Sequence, residues 1–159
     1  MNGSLESVFL DRNPNRRYRV GTASSLEDVP ELVRSCSPHY VLLLAIDATS
    51  IGNDRLRSVA GKLLDRGLAG LDVWGPDCGR VHNQFDLERD PNETDGRVVM
   101  TTWHDDEPLS EAVWSFDYCS WPSEEFEHDC TDWIAVAVGN EVWEQEIKTA
   151  LYESSEDDG

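Results

Sequence analysis

The chain has 159 residues, and its 32 acidic and 13 basic side chains leave a formal net charge of −19. A field of this sign repels nucleic acid and anionic membranes, so neither is expected as a partner. No apolar run approaches the roughly 20 residues of a membrane-spanning helix, and the N-terminal residues lack the pattern of a signal peptide. We therefore expect a cytoplasmic protein whose four cysteines are reduced thiols.

Composition divides the chain into three parts. Residues 1–24 are polar with a basic cluster at 16–19, and they predict a loose arm with room for one short edge strand near Tyr18 and Val20. Residues 25–152 carry the apolar patterns of a single α/β domain. Residues 153–159 are acidic and predict a disordered tail.

Four apolar runs predict the strands of this domain, and they span residues 40–46, 68–74, 97–103 and 133–138. Continuous apolar runs suit strands that are buried on both faces of a parallel sheet. Apolar residues at helical spacing follow each run. Strands that alternate with helices predict a three-layer sandwich around a four-stranded, mainly parallel sheet. We expect a flavodoxin-like or Rossmann-like strand order such as 2-1-3-4.

Three stretches carry a resemblance. The first stretch, residues 74–86, contains WGPDC, VH and FD. The second, residues 98–114, contains VVMTTWHDDE followed by L, EA and W. The third, residues 135–143, contains AVAVGN followed by W. Together they resemble an uncharacterised family of small bacterial α/β proteins of unknown function, over about residues 40–152. The resemblance implies a bacterial source and a compact α/β domain. It supplies no activity, so it assigns no role to any residue.

A chemical site is expected at the carboxyl edge of the sheet, where open parallel sheets bind ligands. Asp47 follows the first predicted strand, and His104 and Asp105 follow the third. In a 2-1-3-4 order, Asp47 and His104 are neighbours. Cys78 lies at a predicted helix N-terminus, where a thiol pKa is lowered. One hypothesis is thus an enzyme with Cys78 as nucleophile, His104 as base, and Asp47 or Asp105 orienting it.

A metal site is a weaker hypothesis. Cys78 and His82 are four residues apart on one side of the predicted helix, and His104 is the candidate third ligand. Structural zinc takes four nitrogen or sulfur ligands at close spacing, but the sequence has no CxxC pair. The competing interpretation is that Cys78 and His82 pack on the buried face of the helix. We therefore predict no cofactor, with zinc as the alternative.

Aromatic residues point to a binding surface. The chain has six tryptophans, and Trp74 and Trp103 end predicted strands. They are expected at the crevice together with Asp77, His104 and Asn140. Exposed aromatic side chains on an acidic surface are typical of the centre of a protein interface.

These patterns favour a function in binding over one in catalysis. We predict a small acidic protein, of an accessory or immunity type, that binds a basic protein partner. The alternative is a small-molecule or metal-dependent enzyme with its site around Asp47, Cys78 and His104. An acidic surface also fits solubility or adaptation to salt, which requires no partner.

Overall fold

The computed structural model describes residues 3–10, 15–34, 36–88, 99–120 and 129–157, with side chains up to Glu153. In chain order the elements are β1 (Gly3–Val8), β2 (Arg17–Ala23), α1 (Val29–Leu32), β3 (His39–Ala45), α2 (Asn53–Asp65), β4 (Leu68–Trp74), α3 (Cys78–Glu88), β5 (Met100–His104), α4 (Leu109–Tyr118), β6 (Cys130–Val138) and α5 (Glu141–Asp157). These elements confirm the predicted α/β class.

The six strands found in the described residues form one sheet in the order β1-β2-β6-β3-β4-β5. Strand β1 runs antiparallel to β2, and the other neighbouring pairs are parallel. The sequence predicts four strands and room for one more in residues 1–24. The sheet has six in the described residues, because residues 1–24 supply two strands and not one. Their sequences alternate polar and apolar residues, so they lack the continuous apolar runs by which the other strands are recognised.

The predicted 2-1-3-4 order is also wrong. Strand β5 pairs with β4 at the far edge, and β6 inserts between β2 and β3. Helices α2 and α3 pack side by side on one face, and the strands β3, β4 and β5 follow one another toward the edge of the sheet. Helix α4 lies on the opposite face and connects β5 to β6 in the interior. Asp47 follows β3 and His104 ends β5. Because β4 lies between these two strands, they are about 10 Å apart and are not neighbours.

The core has two parts, one on each face of the sheet. Side chains alternate along β3, so Leu42 and Leu44 face α2 and α3 while Val41 and Leu43 face α4 and α5. The helices therefore form the two outer layers of the predicted three-layer sandwich. The N-terminal strands extend this same core, since Tyr18 of β2 is buried against the α4 side.

The last helix extends beyond the predicted end of the domain. Helix α5 continues to Asp157, so its last turn lies in the segment for which the sequence predicts a tail. Residues 97–98 of the predicted third strand and residues 158–159 lie outside the described part of the chain. No helix in the described ranges is long and apolar enough to cross a membrane.

Candidate functional site at the β5 edge

A carboxylate and an imidazole meet beneath the carboxyl ends of β4 and β5. Asp72 of β4 is fully buried, and its Oδ1 lies 2.9 Å from Nε2 of His104. Nδ1 of His104 lies 3.0 Å from Oε2 of Glu107 in the loop that follows β5. Both ring nitrogens therefore face carboxylate oxygens, an arrangement that suits a protonated imidazole donating two hydrogen bonds.

The charge on His104 depends on these two partners. Burial opposes the charged ring, but the hydrogen bonds to Asp72 and Glu107 outweigh burial and raise the pKa of His104 above its usual value. In its protonated form, the ring ties the sheet to the loop that leads into α4.

Three hydroxyl groups complete the environment of Asp72. Thr102 Oγ1 donates to its Oδ1 over 2.7 Å, Ser115 Oγ donates over 3.0 Å, and Ser120 Oγ donates to Oδ2. Asp72 is thus a fully satisfied acceptor that joins β4, β5 and α4. The sequence signal that would have found it is a single acid within an otherwise apolar strand, since a buried charge requires partners.

The structure separates the residues proposed for catalysis. The Cys78 thiol is buried in the cluster on the α2 and α3 face, and burial together with nearby Asp105 raises its pKa. The His104 ring lies on the opposite face, where it bonds to Asp72, which also accepts from Ser115 of α4. Asp47 is exposed, and its Oδ1 accepts from the Thr49 amide and hydroxyl over 3.0 and 2.7 Å. Within the described ranges, no hydrogen bond joins the side chains of Asp47, Cys78 and His104.

The proposed metal pair lies on the buried side of α3. His82 Nε2 lies 2.9 Å from Thr101 Oγ1 and 3.6 Å from a carboxylate oxygen of Asp86. Cys78 and His82 are both buried, which agrees with the interpretation that they pack on the buried face of the helix. The His104 ring faces away from them. Among the residues that the structure describes, no group of three or more His, Cys, Asp or Glu side chains is placed to hold a metal ion.

Two of the predicted binding residues have structural partners. Asn140 Oδ1 accepts from the Trp143 amide over 3.2 Å, as a residue that caps the start of α5 does. Asp77 adopts a positive φ of 67° at the turn before α3, and its carboxylate accepts from Arg80 Nε over 2.8 Å.

Trp74 faces the α4 and α5 layer. Its Nε1 donates to the Glu107 carbonyl oxygen over 2.7 Å, and its ring meets Trp143 edge-on with centroids 5.1 Å apart. The Trp74 side chain therefore fixes the loop after β5 from the same side as His104.

Trp103 differs from these residues because it remains accessible. Its side chain is 51% exposed, although its ring centroid lies only 4.4 Å from that of His82. Gly79 lies beneath the same ring, and a Cβ at that position would be 3.8 Å from two indole atoms. The indole is thus held from one side and open on the other.

Two carboxylates belong to the elements around this indole. Asp86 accepts from Oγ1 of Thr101, which lies two residues before Trp103 on β5, over 3.2 Å. Asp105 follows the strand and is exposed, close enough to Cys78 at the start of α3 to affect its pKa. We call Asp86, Trp103 and Asp105 the Trp103 surface.

The model of one protein family matches this chain, over residues 19–154, and its description is domain of unknown function DUF7684. The chain belongs to this family. The match runs from β2 into α5 and includes both the Asp72–His104 pair and the Trp103 surface. It confirms the resemblance to an uncharacterised family, while the bacterial source stays a prediction. No curated protein matches the chain.

Proposed function

We propose that this protein acts by binding a basic protein partner, and that the Trp103 surface accepts an arginine side chain of that partner. The observation that carries the proposal is an indole that is 51% exposed yet held in place by His82 and Gly79. A preorganised aromatic side chain loses little conformational entropy on binding, which is why such residues dominate interfaces.

The chemistry of the surface favours arginine over an apolar anchor. A guanidinium stacks on the open face of an indole through cation–π attraction. Its N–H groups can at the same time donate to a nearby carboxylate. The candidates are Asp86, which bonds to Thr101 two residues before Trp103, and Asp105, which lies two residues after Trp103 and is exposed. The formal net charge of −19 adds a long-range attraction that speeds association with a basic protein.

The alternative function, an enzyme around Asp47, Cys78 and His104, has less geometric support. Its nucleophile and base lie on opposite faces of the sheet, and a general base must reach the group that it deprotonates. The raised thiol pKa of Cys78 also disfavours a nucleophile at neutral pH.

Calorimetric titration with a short arginine peptide tests the proposal. Trp103→Leu should weaken binding roughly fivefold, the size of a partly exposed cation–π contact. Trp114→Leu is the matched control, since Trp114 is 50% exposed and stacks on Tyr118 of its own helix. The control should bind like the native protein.

The carboxylates need a control for net charge. Asp86→Asn with Asp105→Asn should weaken the binding roughly threefold by removing two partly exposed ion pairs. Asp65→Asn with Asp129→Asn removes the same charge from residues that precede β4 and β6, at the amino-terminal ends of the strands, and should have a smaller effect. Equal losses in all variants would mean diffuse attraction to the acidic surface and would contradict the assignment to Trp103.

A further inference from the structure

A second surface feature lies on the opposite layer of the molecule. A groove of about 390 Å³ runs between the start of α4 and the outer side of α5. Pro108, Leu109 and Ser110 form its α4 wall. The α5 wall repeats at helical spacing and consists of Val142, Gln145, Glu146, Thr149, Ala150 and Glu153. From Val142 to Glu153 this wall is roughly 16 Å long, or about three helical turns.

The groove combines an apolar floor with an acidic rim. Val142 is 66% exposed although it is an apolar residue in a folded helix, and Leu109 and Ala150 lie beside it in the lining. Glu146 and Glu153 lie about two helical turns apart on the same wall. The described lining residues include no lysine or arginine.

The nearest cation on α5 is already engaged. Lys148 Nζ lies 2.5 Å from Glu6 of β1 and 3.3 Å from Glu144 one turn earlier. It therefore neutralises carboxylates on the side of α5 that faces β1 and β2. It forms no ion pair with Glu146 or Glu153 in the described part of the chain, so the charge of the groove is not offset by this lysine.

We infer that this groove docks an amphipathic helix of a basic protein partner. Helices present apolar residues at every third or fourth position, and such a stripe fills a groove between two helices. Basic residues seven positions apart on that helix would meet Glu146 and Glu153 together, because both spacings are two turns.

Charge also selects against a second copy of this chain as the occupant. Each copy carries a formal net charge of −19, and joining two grooves would bring four glutamates together without a described cation between them. Like charges brought together in this way cost free energy. A basic helix instead gains from the same field.

The inference rests on the proposed function for the sign of the partner's charge, but it uses a different surface. The probe is a synthetic amphipathic helix of leucine and lysine, with a leucine and glutamate peptide of the same pattern as its counterpart. The native protein should bind the lysine peptide and not the glutamate peptide, as measured by calorimetry.

Matched variants locate the binding. Val142→Asn should weaken binding of the lysine peptide about fivefold, because part of one valine is no longer buried against an apolar face. Leu87→Asn is the control, since Leu87 of α3 is equally exposed at 65% but lies on the other layer, and it should leave binding unchanged. Glu146→Gln with Glu153→Gln should weaken binding more than Asp65→Asn with Asp129→Asn.

Three outcomes would contradict the inference that the groove docks a basic helix. They are no binding of the lysine peptide, equal binding of both peptides, or equal losses of affinity in Val142→Asn and Leu87→Asn. The proposed function fails separately, through the arginine peptide and Trp103→Leu. Trp103→Leu should leave binding of the lysine helix intact, so the two surfaces are distinguishable in one set of titrations.

Discussion

His104 reaches Asp72 diagonally across the β4–β5 pair. Asp72 is paired in register with Thr102, and His104 follows two residues later on the same face, with its Nε2 2.9 Å from Oδ1 of Asp72. This contact holds the end of an edge strand whose other side chains are largely exposed. It also fixes the loop through Glu107, and so it positions Asp105 of the Trp103 surface.

The stability of the protein should fall as the pH rises through the pKa of His104. That pKa is raised in the folded state above 6.5, so the folded protein holds the proton more tightly than the unfolded chain does. The stabilisation is complete below the unfolded pKa and is lost above the folded pKa. Urea unfolding at about pH 6 and about pH 9 measures it. His104→Gln should reduce the difference between the two values, and an unchanged difference would contradict this role.

Asp72→Asn should destabilise the fold by roughly 3 kcal/mol or more, because it leaves the His104 charge without its buried counter-ion. In the native protein three hydroxyl groups donate to the Asp72 carboxylate. The amide of the variant has one acceptor oxygen and one donor NH₂ group, so it cannot accept all of these hydrogen bonds in the same way. Asp65→Asn, at an exposed position on α2, is the control and should change the unfolding free energy little. Similar unfolding free energies for both variants would show that the buried network contributes nothing.

Acid unfolding should depend on Asp132, which lies near the amino-terminal end of the interior strand β6. Burial raises the pKa of this carboxyl, but hydrogen bonds from Arg17 and the Ser37 amide outweigh burial and lower it below 3.8. Arg19 adds an ion pair at 3.1 Å. The resulting stability is present above the unfolded pKa and is lost as the pH falls through the folded pKa.

Asp132→Asn should therefore lower stability at neutral pH and flatten its loss in acid, as followed by circular dichroism. At alkaline pH this variant should lower stability as much as it does at neutral pH, so the alkaline pH dependence, to which His104 contributes, should stay unchanged. A variant that keeps the native acid transition would exclude Asp132 as its source.

Thiol reactivity should distinguish the four cysteines. Cys119 is exposed and should react first with a disulfide reagent near neutral pH. Burial raises the pKa of Cys36 to about 11 and that of Cys130 to about 12, and it also raises the pKa of Cys78, so these thiols should react slowly. Cys119→Ser should remove the fast phase. Rapid modification of Cys78 would instead revive the catalytic hypothesis.

The local patterns of the sequence predict much of the fold. The runs at 40–46, 68–74 and 133–138 correspond to β3, β4 and β6, and the stripe of Leu56, Val59, Ala60 and Leu63 is the buried face of α2. Burial on both faces requires continuous apolar runs, and helical burial requires the 3.6-residue period, so both are visible in one dimension. The capping role of Asn140 is visible in the same way.

The candidate site was predicted less completely, because its contacts join distant parts of the chain. The sequence identifies His104 and Trp103 as residues at a strand end, and strand alternation sends their side chains to opposite faces. Nothing local, however, decides which helices cover each face. Asp72 was missed because its partners lie on β5 and α4, up to 48 residues away. Hydrogen bonds between residues so far apart in the sequence form only when the strand order brings them together, and helix packing decides that order.

By itself, then, the sequence determines the acidic surface, the α/β class, the interior strands and the buried faces of the helices, since each depends on composition or short-range spacing. Only the tertiary structure decides that β6 inserts between β2 and β3, that β4 separates Asp47 from His104, and that Cys78 and the His104 ring lie on opposite faces. Strand order is set by which face each crossover helix covers, and that choice depends on the packing of the whole core.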